Sequence, residues 1–291
     1  MIARVRSFLS GIAWLVGWRL ARLLPEPLVR AGFEAMSMRS HRTNERRRAV
    51  VRRNLEPLVP AADLEATVRE AFRWYGRYWA ETFRMEDLTS AELTARFTIE
   101  GIEHIDKAYA EGKGVVLATP HIGNWDAGGR WVAERYPLVA VAEVLKPRMV
   151  FERFIAHRRA LGMTIIPLER GTDATGQCLE YLRAGRPVAL VADRDLTAAG
   201  VPVTMFGRPT SMPAGPAVLS LRSGAPIIAA AIYQREDRNW FARVLPPLPA
   251  RTADDPDAVR ELTQGIAGAF EELIGAAPAQ WHMFSRFWTE Q

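Results

Sequence analysis

The 291-residue chain has a single cysteine, Cys178. That excludes an internal disulfide and any cysteine-built zinc site, and it fits a reducing compartment. Lysine is scarce too: arginine supplies all but three of the 38 basic residues. With abundant alanine and glycine, this is the codon signature of a GC-rich genome before it is a binding signal. Long apolar runs are missing. The uncharged stretch 7–18 spans 12 residues, whereas crossing a bilayer takes about 20. It carries no A-x-A cleavage site and leads straight into more helix, so it does not read as a signal peptide. There is no G-x-S-x-G elbow, no G-x-G-x-x-G after a strand, no H-E-x-x-H and no P-loop ending in G-K-[ST]. His41, His104 and His157 lack metal-ligand spacing, so no metal is expected. Internal repeats, low-complexity tracts and flexible linkers are also absent.

What is present is a globular composition, 48% hydrophobic and 24% charged, on a chain long enough for a sizeable core. The net charge of +5 is uneven: residues 1–80 carry +8 and the remainder −3. A basic segment suits nucleic acid or an anionic membrane surface. No nucleic-acid motif accompanies the charge, so a membrane surface is the expected partner, and no nucleic acid. The segment 1–24 sets Phe8, Leu9, Ile12, Trp14, Trp18 and Leu20 among Arg4, Arg6, Arg19 and Arg22, a pattern suited to a helix lying in the headgroup region. Pro25 and Pro27 end it, and 28–56 and 61–84 read as further helices. The five arginines within Glu45–Arg53 read first as a solvated face. Phe72, Trp74, Tyr75, Tyr78, Trp79 and Phe83 read as core rather than as a ligand cage.

From Phe97 onward, strands alternate with helices. Strands are expected at Phe97–Ile99, Val115–Thr119, Leu138–Val144, Thr164–Pro167, Pro187–Ala192, Val201–Phe206, Pro226–Tyr233 and Trp240–Leu245. Helices are expected near 102–111, 125–135, 149–161, 174–184, 213–223 and 256–275. Such alternation predicts an α/β fold with a mainly parallel sheet flanked by helices. We expect one domain over 1–291, with a helical membrane-facing part at 1–84 and an α/β core at 97–291.

The chain is organised around Gly114–Arg130, a strand, a turn bearing His121, and a helix that Asn124 or Asp126 can cap. In open α/β sheets the crevice beyond a strand's carboxyl end is where ligands bind. His121 and Asp126 form an H-x4-D pair, and histidine is the natural base near neutral pH, best with a carboxylate to fix its tautomer. The spacing alone leaves open whether the two side chains converge. A second buried strand, Pro187–Ala192, ends in Asp193-Arg194-Asp195. If it neighbours Val115–Ala118, Asp193 can reach His121. Arg158 and Arg159 end a helix, and Glu143, Lys146 and Arg148 follow a strand; all can face the crevice. Phe206–Ala217 reads as a Gly/Pro-rich loop whose helix start can receive a phosphate or pantetheine. Trp281-His282-Met283 can close over the site or cap the core.

These residues resemble bacterial membrane-associated acyltransferases with the H-x4-D motif, the superfamily of the lipid A late acyltransferases. More narrowly they are similar to the actinobacterial phosphatidylinositol mannoside acyltransferases. That resemblance runs through Gly17–Leu20, Tyr75–Trp79, Pro120–Asp126, Val141–Pro147, Arg158–Gly162, Arg194–Thr197, Met212–Ala217 and Trp281–Met283. It implies transfer of a palmitoyl-type chain from acyl-CoA to the 6-hydroxyl of the mannose on inositol C2, with no further cofactor. His121 would be the base and Asp193, typically glutamate in the family, its orienting carboxylate. Aspartate is shorter by one methylene, which leaves the directness of that contact open. Asp126 would support the loop, and Arg158 would meet the acceptor's polar head. Glu143, Lys146, Arg194, Asp195, Trp281 and Met283 would complete substrate binding. The acyl chain would lie in an apolar tunnel, worth on the order of 10 kcal/mol at ~0.8 kcal/mol per methylene. The enzyme would sit peripherally on the cytoplasmic face of the cell membrane, where an anionic mannosylated lipid resides. Two other readings stand beside it: the same fold acting on another glycolipid or a lysophospholipid, and an inactive lipid-binding module.

Overall fold

Residues 2–169, 171–195 and 199–289 are described by the structure, a computed structural model, with side chains from residue 11 onward. Leu196 and Thr197 of the Arg194–Thr197 motif, and the side chains of Arg4, Arg6, Phe8 and Leu9, lie outside that description.

Five helices come first: α1 (Ile2–Leu23), α2 (Glu26–Thr43), α3 (Glu45–Leu55), α4 (Leu64–Arg84) and α5 (Ser90–Ala95). The stretch 28–56 is thus two helices. Asn44 breaks it, leaving helical geometry and accepting a hydrogen bond from Arg47 N–H at 3.0 Å as the N-cap of α3. The short α5, absent from the sequence reading, is announced by a Thr89/Glu92 capping box. Alternation then begins with β1 (Phe97–Glu100), α6 (Ile102–Ala110), β2 (Val115–Thr119), α7 (Trp125–Ala133) and β3 (Val139–Glu143). It continues with α8 (Arg148–Ala160), β4 (Thr164–Leu168), α9 (Ala174–Arg183) and β5 (Pro187–Val191). The last third holds β6 (Val201–Met205), β7 (Arg208–Met212), α10 (Gly215–Ser223), β8 (Ile227–Gln234), β9 (Trp240–Val244) and α11 (Ala258–Gly275).

Seven strands form one sheet in the order β1-β9-β8-β2-β5-β3-β4. All pairs are parallel except β8 with β9. The fold is therefore the expected α/β class, with the edge strand β1 and its neighbour β9 running against the rest. Its centre is apolar on both faces, which is why β2 reads as an unbroken hydrophobic run. Val116 and Ala118 pack with α4, α10 and α11 on one face, while Val115 and Leu117 pack with α6, α7 and α8 on the other. Part of the stretch expected as a loop is a strand: β7 pairs antiparallel with β6 as a separate hairpin. Proline at 202 and 209 and the glycine at 207 masked its alternation.

α1 lies outside the sheet layers, docked on α4 and α8 through Trp18, Phe83 and Phe154. The Trp18 ring stacks on Phe83 with centroids 4.5 Å apart, and its indole N–H donates to Phe83 C=O at 3.1 Å. Such a ring pair adds roughly 0.5–1.5 kcal/mol beyond the area buried. Arg22 continues the joint with ion pairs to Glu86 and Asp87, both at 2.6 Å.

The adjacency of β2 and β5 is what builds the site. Their register sets Thr119 beside Val191, so both chains leave the sheet at the same level. His121 and Asp193 each follow two residues later.

Candidate active site

The loop after β2 is held tightly. Gly123 has φ +56°, and a Cβ there would meet Ile232 C=O at 1.8 Å, so only glycine fits. Asn124 then starts α7 by accepting from Ala127 N–H at 3.0 Å. The amide of Asn124 also donates to the half-buried Glu81 at 2.8 Å, which receives the Trp240 indole N–H at 2.9 Å.

His121 Nδ1 lies 2.5 Å from Asp193 Oδ1. The contact is direct, so the short aspartate side chain reaches the imidazole unaided. His121 backbone N–H donates to Asp193 Oδ2 at 2.8 Å, and Trp281 Nε1–H donates to the same oxygen at 2.9 Å. Asp193 is fully buried. Burial alone would raise its carboxyl, but the His121 charge and these hydrogen bonds outweigh that and hold it below the usual carboxylate range. With Nδ1 committed to a carboxylate, Nε2 is the nitrogen left for chemistry.

Asp126 does not meet His121. Its buried carboxylate accepts from Arg158 Nε–H at 2.7 Å and from Tyr78 O–H at 3.0 Å. Burial would raise this acid too, and the Arg158 guanidinium brings it down. The two ends of H-x4-D therefore do separate jobs. One residue pairs with Asp193, and the other ties α7 to α8 through an ion pair and to α4 through a hydrogen bond.

A cavity of about 640 Å³ opens in front of the pair, a size suited to an extended small ligand. Tyr75, Tyr78, Trp79 and Trp125 wall it beside His121, and Arg158, Arg194, Asp195 and Glu143 supply charge. A second wall is apolar, from Val141, Leu145, Leu168, Cys178, Leu190 and Leu219. The start of α10 also faces the cavity through Pro213–Pro216, and Ala214 gives it no side-chain cap.

The family model for bacterial lipid A biosynthesis acyltransferases matches residues 3–290. The chain belongs to that family. It is an acyltransferase of lipid metabolism, and the resemblance drawn from its motifs is borne out. A Mycobacterium tuberculosis protein named phosphatidylinositol mannoside acyltransferase is 39% identical over 95% of this chain and 87% of its own length. One of the same name from Mycolicibacterium smegmatis is 37% identical, covering 96% and 91%. The Escherichia coli lipid A biosynthesis palmitoleoyltransferase is 22% identical, covering 95% and 91%.

Within this acyltransferase the expected substrate-contacting residues divide. Arg158, Glu143, Arg194 and Asp195 line the cavity. Arg158 is tied to Asp126, Arg194 is ion-paired to Glu143, and Asp195 accepts from Gly200 N–H at 2.9 Å and Ser211 O–H at 3.1 Å. Lys146 is not on the wall. Trp281 and Met283 are not either: both are core residues, 1% and 2% exposed. An indole and a thioether beside Phe287 and Trp288 find their partners inside, and Trp281 reaches the site only from behind. The aromatic cluster on α4 also divides, since Phe72 and Phe83 are core while Tyr75, Tyr78 and Trp79 face the cavity.

Sequence reasoning missed Tyr78 as the partner of Asp126, and within the Trp281-His282-Met283 cluster it did not single out His282. That imidazole lines the cavity and donates Nε2–H to Gly123 C=O at 3.1 Å. Burial pushes it down to about 3, so it is neutral. Its placement follows from the tail pairing with the loop: His282 N–H donates to His121 C=O at 2.7 Å, and Gly123 N–H to Gln280 C=O at 2.9 Å. No local spacing announces a contact between residues so far apart.

Proposed function

We propose that this protein transfers a long-chain, palmitoyl-type acyl group from acyl-CoA to the 6-hydroxyl of the mannose on inositol C2 of a phosphatidylinositol mannoside. His121 acts as general base. The observation that carries the chemistry is a histidine held through Nδ1 by a buried carboxylate, with a partly apolar cavity in front of it. The acceptor is supported by the two relatives named for it, at 39% and 37% identity.

In the reaction, His121 Nε2 takes the proton of the mannose hydroxyl as its oxygen attacks the thioester carbonyl carbon. The tetrahedral adduct collapses, the carbon–sulfur bond breaks, and the imidazolium returns the proton to the departing CoA thiolate. Asp193 stabilises the imidazolium between these steps. No acyl-enzyme forms, because the histidine is a base and not a nucleophile. Arg158, Arg194, Glu143 and Asp195 would bind the polar acceptor, and the uncapped start of α10 suits phosphate or pantetheine amides. The acyl chain would run along the wall of Val141, Cys178, Leu190 and Leu219.

The site would work at a membrane surface, on the cytoplasmic face. No helix of the described residues is long and apolar enough to cross a membrane. Yet among the described residues seven of the nine exposed large hydrophobics, Ile12 to Met36, lie on α1, α2 and the turn between them, with Leu23 74% and Leu28 62% exposed. Ile12, Val16, Leu20 and Leu23 form one stripe at helical spacing, flanked by arginine, which is the pattern of an interfacial helix.

The test is transfer of labelled palmitoyl from its CoA ester, with mono- and dimannosylated phosphatidylinositol, a lipid A precursor and lysophosphatidic acid offered together. Label on the mannosides alone, lost in His121→Ala, is the expected result. Label on another acceptor overturns the substrate and keeps the chemistry.

A further inference from the structure

Asp193 has only two oxygens, and both are occupied. Oδ1 faces His121 Nδ1, while Oδ2 accepts from His121 N–H and from Trp281 Nε1–H. The first two donors belong to the residue being oriented. Among the described residues, the indole is the one donor from elsewhere in the chain. It is itself fixed: Trp281 is 1% exposed and packs edge-on against Phe287 with centroids 4.8 Å apart. Trp288, 6.5 Å away, donates its indole N–H to Arg53 and Asn54 C=O at 3.2 and 3.3 Å. Asn54 in turn donates to Met283 and Ser285 C=O at 2.9 and 2.7 Å. The tail is thereby pinned to α3 and cannot follow Asp193 if that side chain turns.

We propose that Trp281 is a positioning residue for the general base: its indole N–H locks the Asp193 carboxylate in the rotation that presents Oδ1 to His121 Nδ1, which keeps Nε2 free for the acceptor hydroxyl. The inference rests on His121 being the base. A fixed dipole in a buried site needs no rearrangement when the imidazolium forms, and donors of that kind have large effects on turnover. Without it, the carboxylate is held only by His121 itself, through that residue's N–H and Nδ1, and more of its charge falls on His121.

Other ionisable groups near His121 would not change with the indole. Arg158 stays with Asp126, Arg194 with Glu143, Asp195 with Ser211, and His282 remains neutral against Gly123 C=O. A displaced pH profile therefore reports on the His121–Asp193 pair.

The experiment compares Trp281→Phe with Trp288→Phe. Both remove an indole N–H from the same tail, but only the first touches Asp193. Trp281→Phe is expected to lower kcat roughly 10- to 100-fold with KM within about twofold. The acid limb of the kcat profile should move to higher pH, and the downfield ring N–H proton resonance of His121 should shift. Trp288→Phe should lower the melting temperature and leave limb and resonance in place. The proposal is overturned if Trp281→Phe keeps the wild-type kcat, limb and resonance, or if Trp288→Phe reproduces its effects. His121→Ala separates the two levels. If it retains the wild-type rate, the base assignment itself falls; if it is inactive while Trp281→Phe is normal, only the role of the indole falls.

Discussion

At the scale of single side chains, Asp193 and Asp126 are both withdrawn from solvent, and their partners decide what each does. Asp193 answers to His121, so Asp193→Asn should cost 10²–10⁴-fold in turnover with the fold intact by circular dichroism. An equal loss of melting temperature would instead make Asp193 a structural residue. Asp126 answers to Arg158, and Asp126→Ala strands a largely buried guanidinium. It should lower stability by about 2–4 kcal/mol in urea, and Arg158→Met in the same chain should recover part of that loss. His282 sets a pH dependence. Its folded value of about 3 lies below the ordinary 6.5, so the unfolded chain binds the proton more readily. The contribution is complete above 6.5 and fades as pH falls through that window. His282→Gln should flatten the slope of stability against pH between about 6.5 and 4.5; an unchanged slope would assign it to other groups.

At the scale of elements, α1 has two faces with separable work. The buried face holds Trp18, and Trp18→Ala should cost about 3–5 kcal/mol, read as a lower denaturant midpoint. On the outer face, Leu20→Asp with Leu23→Asp should leave that midpoint alone and weaken binding to anionic vesicles. Loss of both together would mean the stripe is packed rather than free. Elements were legible where burial is simple. β2 and β5 are apolar on both faces, and no helix that short would be. Asn44 was harder, because a cap inside a basic helical run looks like one more polar surface position. β7 was hidden because a two-stranded hairpin outside the sheet needs no alternation strong enough to outweigh its prolines.

Across the whole molecule, the route from sequence to site passed through one conditional, that Pro187–Ala192 lies beside Val115–Ala118. Once the sheet order is known, His121 and Asp193 must meet. Trp281 had no such route, since its contact with Asp193 depends on where the tail lands after α11 and not on any strand order. The cavity's apolar wall yields a test at this scale: Cys178→Phe should shift the donor preference toward shorter acyl-CoA by about tenfold, measured as the ratio of C16 to C10 transfer. A constant ratio would place the chain elsewhere.

The pinning of residues 280–289 onto α3 and behind Asp193 also has a consequence in time. Translation runs from α1 toward that tail, so the helices with the exposed leucines leave the ribosome long before the indole that completes the site. On the proposed membrane role, the growing chain would meet a lipid surface while Asp193 still lacks its indole donor. The indole that supports Asp193 is therefore added only after every strand of the sheet has been made.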